Sequence, residues 1–134
     1  MKRTTRTALY LTVHTILGLL VALCQQAGAQ QLVGKGHWQS LSAPDVIQGT
    51  WSVTAQQSAT QVNGTMEITG SNVLKTASVT GTIDGKSVLL GLSSDGVTAA
   101  TFSGQLSGTS VSGEWDCPAV KDQGVWHGTL SVQP

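Results

Sequence analysis

The stretch GEWDCPAVKDQGVWHGTL, residues 113–130, gathers the side chains of this sequence that are best suited to chemistry. Cys117 could act as a nucleophile and His127 as its base, because a thiol beside an imidazole is a common pair in covalent catalysis. Glu114 and Asp116 could instead join His127 around a metal ion. Which of these groups meet depends on the elements that carry them.

The N-terminal segment predicts export. The basic start MKRTTR precedes the apolar run ALYLTVHTILGLLVALC, and Ala-Gly-Ala at 27–29 supplies the small residues that a signal peptidase reads. We therefore expect residues 1–29 to be a signal peptide cleaved after Ala29, and the mature protein to be secreted or periplasmic. His14 and several threonines interrupt the run, which disfavours a retained membrane span.

Removal of the signal peptide changes both the cysteines and the charge. Cys24 leaves with it, and lipidation there is disfavoured because the bulky Leu23 precedes it. Cys117 then has no intramolecular disulfide partner, so its thiol is buried, modified or paired with another chain. The remaining chain holds four lysines and seven carboxylates. This balance argues against a nucleic-acid or anionic-membrane surface, which needs a clustered basic patch.

Turn signals recur about every 8 to 12 residues after the signal peptide, which is typical of an all-β sandwich or barrel. We interpret residues 30–48 as an irregular lead-in and residues 49–134 as a small β-barrel domain. Its first strand, around Trp51, could pair with the last strand and remove both edges, which favours a closed barrel over a sandwich. An eighth strand could come from GHWQS around Trp38. The seven predicted strands of this antiparallel up-and-down meander lie near 50–57, 60–69, 74–83, 87–93, 97–106, 110–117 and 124–133.

Two turns fix which side chains share a face in the middle of the meander. Asp84-Gly85 is typical of a two-residue type I′ turn, which pairs Val79 with Leu90. Ser94-Asp95-Gly96 is typical of a three-residue turn ending in a bulge, which pairs Leu90 with Ala100. Apolar side chains coincide in both pairs, so one core face continues from strand to strand.

The last hairpin places the chemical groups of the opening stretch. A loop over residues 118–123 would pair Trp115 with Trp126 and Gly113 with Gly128, so that two glycines make room for two indoles on the core face. It would also send His127 outward, opposite Glu114, and away from Cys117. We therefore predict neither an enzyme nor a cofactor. We predict no metal site either, because one imidazole falls short of the three or four strong ligands typical of zinc.

A Gly-x-Trp on the first barrel strand, GTW at 49–51, resembles the calycin pattern shared by lipocalins and avidins. The late segments TFSGQLSGTSVSGEW and GVWHGTL are similar in rhythm to the last strands of avidin-type proteins. The resemblance implies an up-and-down barrel. The polar series that such proteins present to biotin is replaced here by SVTAQQ, and the acidic residue near the end of the last strand is missing. Biotin binding is therefore not predicted, and no binding residues are carried over.

Our first functional hypothesis is a non-catalytic binding module that holds a small apolar or amphipathic ligand in the barrel mouth. The candidate ligand-binding residues are the aromatic side chains of the core face, although aromatics also commonly fill the interior of a small barrel. They are Trp51, Phe102, Trp115 and Trp126.

The alternative hypotheses use the outside of the barrel. Thr80, Leu89 and Thr101 would lie on a flat, weakly charged outer face suited to a partner protein, a polysaccharide or assembly into an oligomer. Threonine also favours exposed strands without any function. A secreted inhibitor presenting the loop at 118–123 rests on fold analogy alone.

Overall fold

Eight strands, each hydrogen-bonded to its neighbours along the chain, form a closed antiparallel β-barrel in the computed structural model of this protein. The structure describes residues 28–133, so the predicted signal peptide and Cys24 lie outside it except for Gly28 and Ala29. The predicted all-β up-and-down barrel is confirmed, with eight strands. They are β1 (Ala29–Ser40), β2 (Gln48–Ser58), β3 (Gln61–Ile68), β4 (Thr76–Asp84), β5 (Ser87–Ser94), β6 (Val97–Ser107), β7 (Ser110–Cys117) and β8 (Asp122–Gln133).

Strand β1 corrects the prediction of an irregular segment at 30–48, of which only the part after Ser40 is irregular. Trp38 of β1 pairs with Gly49 on β2 and with Trp126 on β8. The barrel therefore closes through β1, as the eighth-strand alternative expected, and not by direct pairing of β2 with β8. The alternation that predicts a strand is weak here, because three inward positions of β1 carry no large apolar side chain. They are Gly34, Gly36 and Ser40.

The two middle hairpins keep the predicted core face but not the predicted register. Gly85 has φ +60°, and the β4–β5 turn is Gly85-Lys86, so Val79 pairs with Leu92. The β5–β6 turn is Asp95-Gly96, and both residues have positive φ, as a type I′ turn requires. The bulge is not part of this turn but lies in the strand pair, at the Leu92/Ser93 register shift. Relative to the prediction each pairing moves by two residues. An even shift leaves the apolar side chains inward.

The β7–β8 connection is two residues shorter than the predicted loop, which also moves each pairing by two residues. A 3₁₀ turn at Pro118–Val120 is followed by Lys121 with φ +52°, and the strands rejoin at Cys117 and Asp122. Trp115 therefore pairs with Gly124, and Gly113 with Trp126. The predicted Trp115–Trp126 and Gly113–Gly128 pairs do not form.

Two cross-strand glycine pairs nevertheless lie beneath two indoles. Gly36 of β1 pairs with Gly128 of β8, and a Cβ on Gly128 would lie 2.8 Å from the Trp51 ring. Gly104 of β6 pairs with Gly113 of β7, and a Cβ on Gly104 would lie 2.9 Å from the Trp126 ring. Each indole occupies space that side chains on the next two strands of the barrel would fill.

All four indole N–H groups donate to strand or loop carbonyls. Trp51 Nε1 reaches the carbonyl oxygens of His37 and His127, at 3.3 and 3.2 Å, next to the first glycine pair. Trp126 Nε1 reaches those of Ser103 and Glu114, at 3.1 and 3.0 Å, next to the second. The other two bonds are Trp115 to Gln39 at 3.2 Å and Trp38 to Thr69 at 3.0 Å. A buried indole with its donor satisfied adds to the core without an unpaired polar group.

We expect Gly104→Ala to destabilise the barrel by about 2–3 kcal/mol, because the new methyl group would press on the Trp126 ring and the Ser112 carbonyl inside a packed core. Gly91→Ala is the matched control. Gly91 is also a strand glycine, but a Cβ there would come no closer than 3.5 Å to any neighbour, so the change should stay within about 0.5 kcal/mol. Urea unfolding measures both. Equal effects of the two substitutions would contradict the space-filling role of Gly104.

Candidate functional site

Four connections meet at one end of the barrel, which we call the mouth. They are the β1–β2 loop at 41–47, the β3–β4 loop at 69–75, the β5–β6 turn at 95–96 and the β7–β8 loop at 118–121. In an up-and-down barrel every second connection lies at the same end. The β1–β2 loop is held by backbone bonds from Ser40 to Ile47 and from Ile47 to Ala43, at 2.9 and 2.8 Å.

A cavity of about 560 Å³ opens at the mouth, within the range of small-molecule sites. Three aromatic rings line it: Trp38, Phe102 and Trp115. Trp38 and Trp115 stand nearly perpendicular, with ring centroids 5.7 Å apart. The remaining apolar lining includes Val46, Ile47, Ile68, Val73, Leu74, Ala100, Cys117 and Val120, and the polar side chains along it are Ser42, Ser71, Asn72, Lys121 and Asp122.

The structure divides the four aromatic residues that the sequence predicts as ligand-binding. Phe102 and Trp115 line the cavity. Trp51 and Trp126 do not; each is 2% exposed, and they pack edge to face 5.5 Å apart deeper in the barrel. Phe102 connects the two groups, since its ring lies 5.3 Å from that of Trp126.

Trp38 also lines the cavity, although it is not among the ligand-binding residues predicted from the sequence. The signal was present, because Gly36-His37-Trp38 repeats the Gly-x-Trp spacing of Gly49-Thr50-Trp51. Because residues 30–48 were predicted to be irregular, this spacing was not taken as the mark of a barrel strand.

Exposed apolar side chains lie at the mouth, and four of them, Val46, Ile47, Val73 and Val120, also line the cavity. Val46 is 82% exposed and Val97 68%. Leu41, at the start of the β1–β2 loop, and Val97, the first residue of β6, complete this apolar collar. Exposed apolar side chains gathered at one opening are typical of a site of interaction.

One wall of the cavity is held by a hydroxyl–carboxylate cluster. The fully buried Ser40 donates through Oγ to both Asp122 carboxylate oxygens, at 2.9 and 2.8 Å. Ser42 Oγ and the Gln123 amide donate to Asp122 Oδ1, at 3.1 and 2.9 Å. The bond from Ser40, reinforced by those from Gln123 and Ser42, holds the pKa of Asp122 below its ordinary value, against the opposing effect of burial. The cluster fastens the β1–β2 loop to the start of β8.

Cys117 lies in the cavity wall and is buried. Burial raises the pKa of its thiol, and the negative charges of Asp116 and Asp122 act in the same direction, while a hydrogen bond from the Val120 amide opposes them. His127 lies exposed on the outer face, so the nucleophile and base considered from the sequence are on opposite faces, as predicted.

The outer face of β8 differs from the predicted pairing. Glu114 lies opposite Val125, so the expected Glu114–His127 pair does not form, because the β7–β8 register is shifted by two residues. His127 instead faces Ser112 on one side and His37 on the other, with the two imidazole centroids 5.7 Å apart. Within residues 28–133 no group of three His, Cys, Asp or Glu side chains is placed to hold a metal ion.

The three predicted surface residues come together on β4, β5 and β6. Thr80 and Thr101 flank Gly91 in one row of the outer face. Leu89, 54% exposed, lies in the next row between Thr82 and Ser103. The three side chains therefore lie close together on the outer face, and a role of this face in binding or assembly stays a prediction.

Comparison with protein-family models and with curated proteins finds no match for this chain. The eight-stranded barrel has the architecture that the calycin resemblance implies, and the resemblance itself stays a prediction. No helix in residues 28–133 is long and apolar enough to cross a bilayer.

We expect Asp122→Asn to flatten the acid side of the stability profile. The pKa of Asp122 is lower in the folded than in the unfolded chain, where it is about 3.9. Its stabilisation is therefore complete only above about pH 5, well above the unfolded pKa, and is lost as pH falls through the folded pKa. Between about pH 5 and 3 the wild-type free energy of unfolding should fall more steeply than that of the variant, measured by urea unfolding. Parallel curves would rule out the assigned role of the cluster.

We also expect the Cys117 thiol to react slowly. A raised pKa and burial both reduce the accessible thiolate. Labelling by a thiol-reactive probe at neutral pH should be much slower in the folded protein than in urea, and its rate should rise with pH. Rapid labelling of the folded protein at neutral pH would instead indicate an activated nucleophile.

Proposed function

We propose that this protein is an exported, non-catalytic binding module that holds a small apolar or amphipathic ligand in the cavity at its mouth. The observation that carries the proposal is the cavity of about 560 Å³ with its Trp38, Phe102 and Trp115 lining. A cavity of about 150 Å³ already accepts benzene, so this one has room for a considerably larger body.

The barrel interior is filled with side chains whereas the mouth is open, and this contrast supports the proposal of a bound ligand. Small barrels can fill their interiors completely with side chains, and deeper in this one the interior is filled. Trp51, Trp126 and Leu90 are each 2% exposed there. At the mouth the loops at 41–47 and 69–75 stand around the opening without filling it. Apolar walls with a few polar groups near the rim are the usual composition of a small-molecule site.

The chemistry of the lining favours binding over catalysis. Among the residues that line the cavity the only thiol is Cys117, whose pKa is raised, and none is a histidine. A nucleophile needs a nearby base or a lowered pKa to react at neutral pH.

Export remains part of the proposal and rests on the predicted signal peptide. Cleavage after Ala29 would remove only the first residue of β1, so the barrel that closes through β1 would keep its closing strand. A free, buried Cys117 is compatible with an oxidising compartment because it has no partner within the mature chain with which to form a disulfide.

Filling the cavity should abolish binding. Ala100 is a small residue in the lining, and Ala100→Phe should weaken binding of a neutral fluorescent naphthylamine probe by at least about tenfold. Thr98→Phe adds similar bulk on the same strand at an exposed position and should leave the affinity unchanged. Equal affinities of all three proteins would place the probe elsewhere, and thermal unfolding checks that each variant is folded.

Native mass spectrometry of the protein purified from its own host tests the proposal directly. A single subunit with extra mass that denaturation releases would support a carried ligand. A bare subunit, or a multimer without a small molecule, would contradict it and favour the outer face around Leu89. In that case Leu89→Lys should impair assembly.

A further inference from the structure

We propose that the ligand is an amphiphile with a positively charged head group, and that Asp122 receives this head group at the rim of the cavity. This inference rests on the proposed function and adds the charge of the ligand to it. The apolar body would lie against Trp38, Phe102 and Trp115, and the charged end would remain near the β7–β8 corner of the mouth.

Asp122 is a carboxylate fixed in position at the cavity wall. Ser40, Ser42 and the Gln123 amide all bond to Oδ1, whereas Oδ2 accepts only the shared bond from Ser40. A carboxylate offers about four acceptor positions, so Oδ2 retains capacity for a further donor. An ammonium group is a donor of the right sign.

The excess of carboxylates at the mouth also favours a positively charged ligand. Five carboxylates lie on the mouth connections or at the strand ends beside them, against two lysines, whereas the β4–β5 turn region at the opposite end carries one of each, Asp84 and Lys86. An excess of negative charge around an opening attracts positively charged ligands to it. The mouth carboxylates are Asp45, Glu67, Asp95, Asp116 and Asp122, and the lysines are Lys75 and Lys121.

Lys121 also lines the cavity, so the two charges must be weighed. Its side chain is exposed, and a lysine ammonium on a flexible four-carbon stem can turn towards water. Asp122 is held by three donors and cannot. The aromatic lining also favours a cation, because the ring faces are electron-rich and repel an anion.

The test compares three amphiphiles with the same ten-carbon chain, decylammonium, decanol and decanoate, by calorimetry at pH 7 below their micelle concentrations. We expect the cation to bind about fivefold more tightly than the anion at low salt, with decanol between them. The preference should shrink as salt is added, because the groups at the rim are partly exposed.

Variants assign the preference to a residue. Asp122→Asn keeps an acceptor for Ser40 and should remove most of the preference, whereas Lys121→Gln should enlarge it. Asp95→Asn is the matched control. It removes a carboxylate from a mouth turn that does not line the cavity, at a positive φ that asparagine tolerates, and should change little.

The outcomes distinguish failure of this inference from failure of the proposed function. Equal binding of the three amphiphiles, or tightest binding of decanoate, would overturn the inference and leave the binding module standing. Failure of all three to bind would overturn both. If Asp122→Asn proves unfolded by circular dichroism, Lys121→Gln decides alone, and an unchanged preference in that variant would overturn the assignment to this corner.

Discussion

The fit of indoles over cross-strand glycines is the constraint on which the rest of this barrel depends. Trp51 lies over Gly36 and Gly128, and Trp126 over Gly104 and Gly113. Removing the side chains from one layer of the wall admits a large ring and exposes backbone carbonyls to the indole N–H, as the bonds of 3.0–3.3 Å show. One arrangement therefore satisfies both packing and hydrogen bonding.

This arrangement also sets the depth of the cavity. Trp51 and Trp126 fill the middle of the barrel together with Phe102, and the next pair, Trp38 and Trp115, lies at the mouth. The mouth pair reaches Thr69 and Gln39, carbonyls near the ends of strands, so its rings lie against the opening. A rigid aromatic surface beneath the mouth loops is well suited to orienting an apolar body, because little side-chain freedom is lost on binding.

Much of the fold could be predicted, because alternation and turn residues report which face a side chain occupies. Val79, Leu90 and Trp115 point inward as predicted, although their partners differ. Pairing partners depend on the turn. A turn one residue farther along, as between β4 and β5, or a loop two residues shorter, as between β7 and β8, moves each partner by two. A shift of two residues keeps each side chain on the same face of the sheet, so the alternation in the sequence does not distinguish the two registers. The same shift separated Glu114 from His127.

The sequence by itself determined the fold class, the inward faces of β2 and of β4 to β8, and the opposite orientation of Cys117 and His127, because each depends on a local period of two. Only the tertiary structure decided that β1 closes the barrel, since its inward Gly34 and Gly36 become meaningful when indoles and aliphatic side chains from other strands fill the space above them. It alone also separated Trp115 from Trp126 and joined Trp38 to the cavity. Those assignments depend on how far each ring lies from the mouth, and depth in a closed barrel is fixed by pairing around the whole circumference.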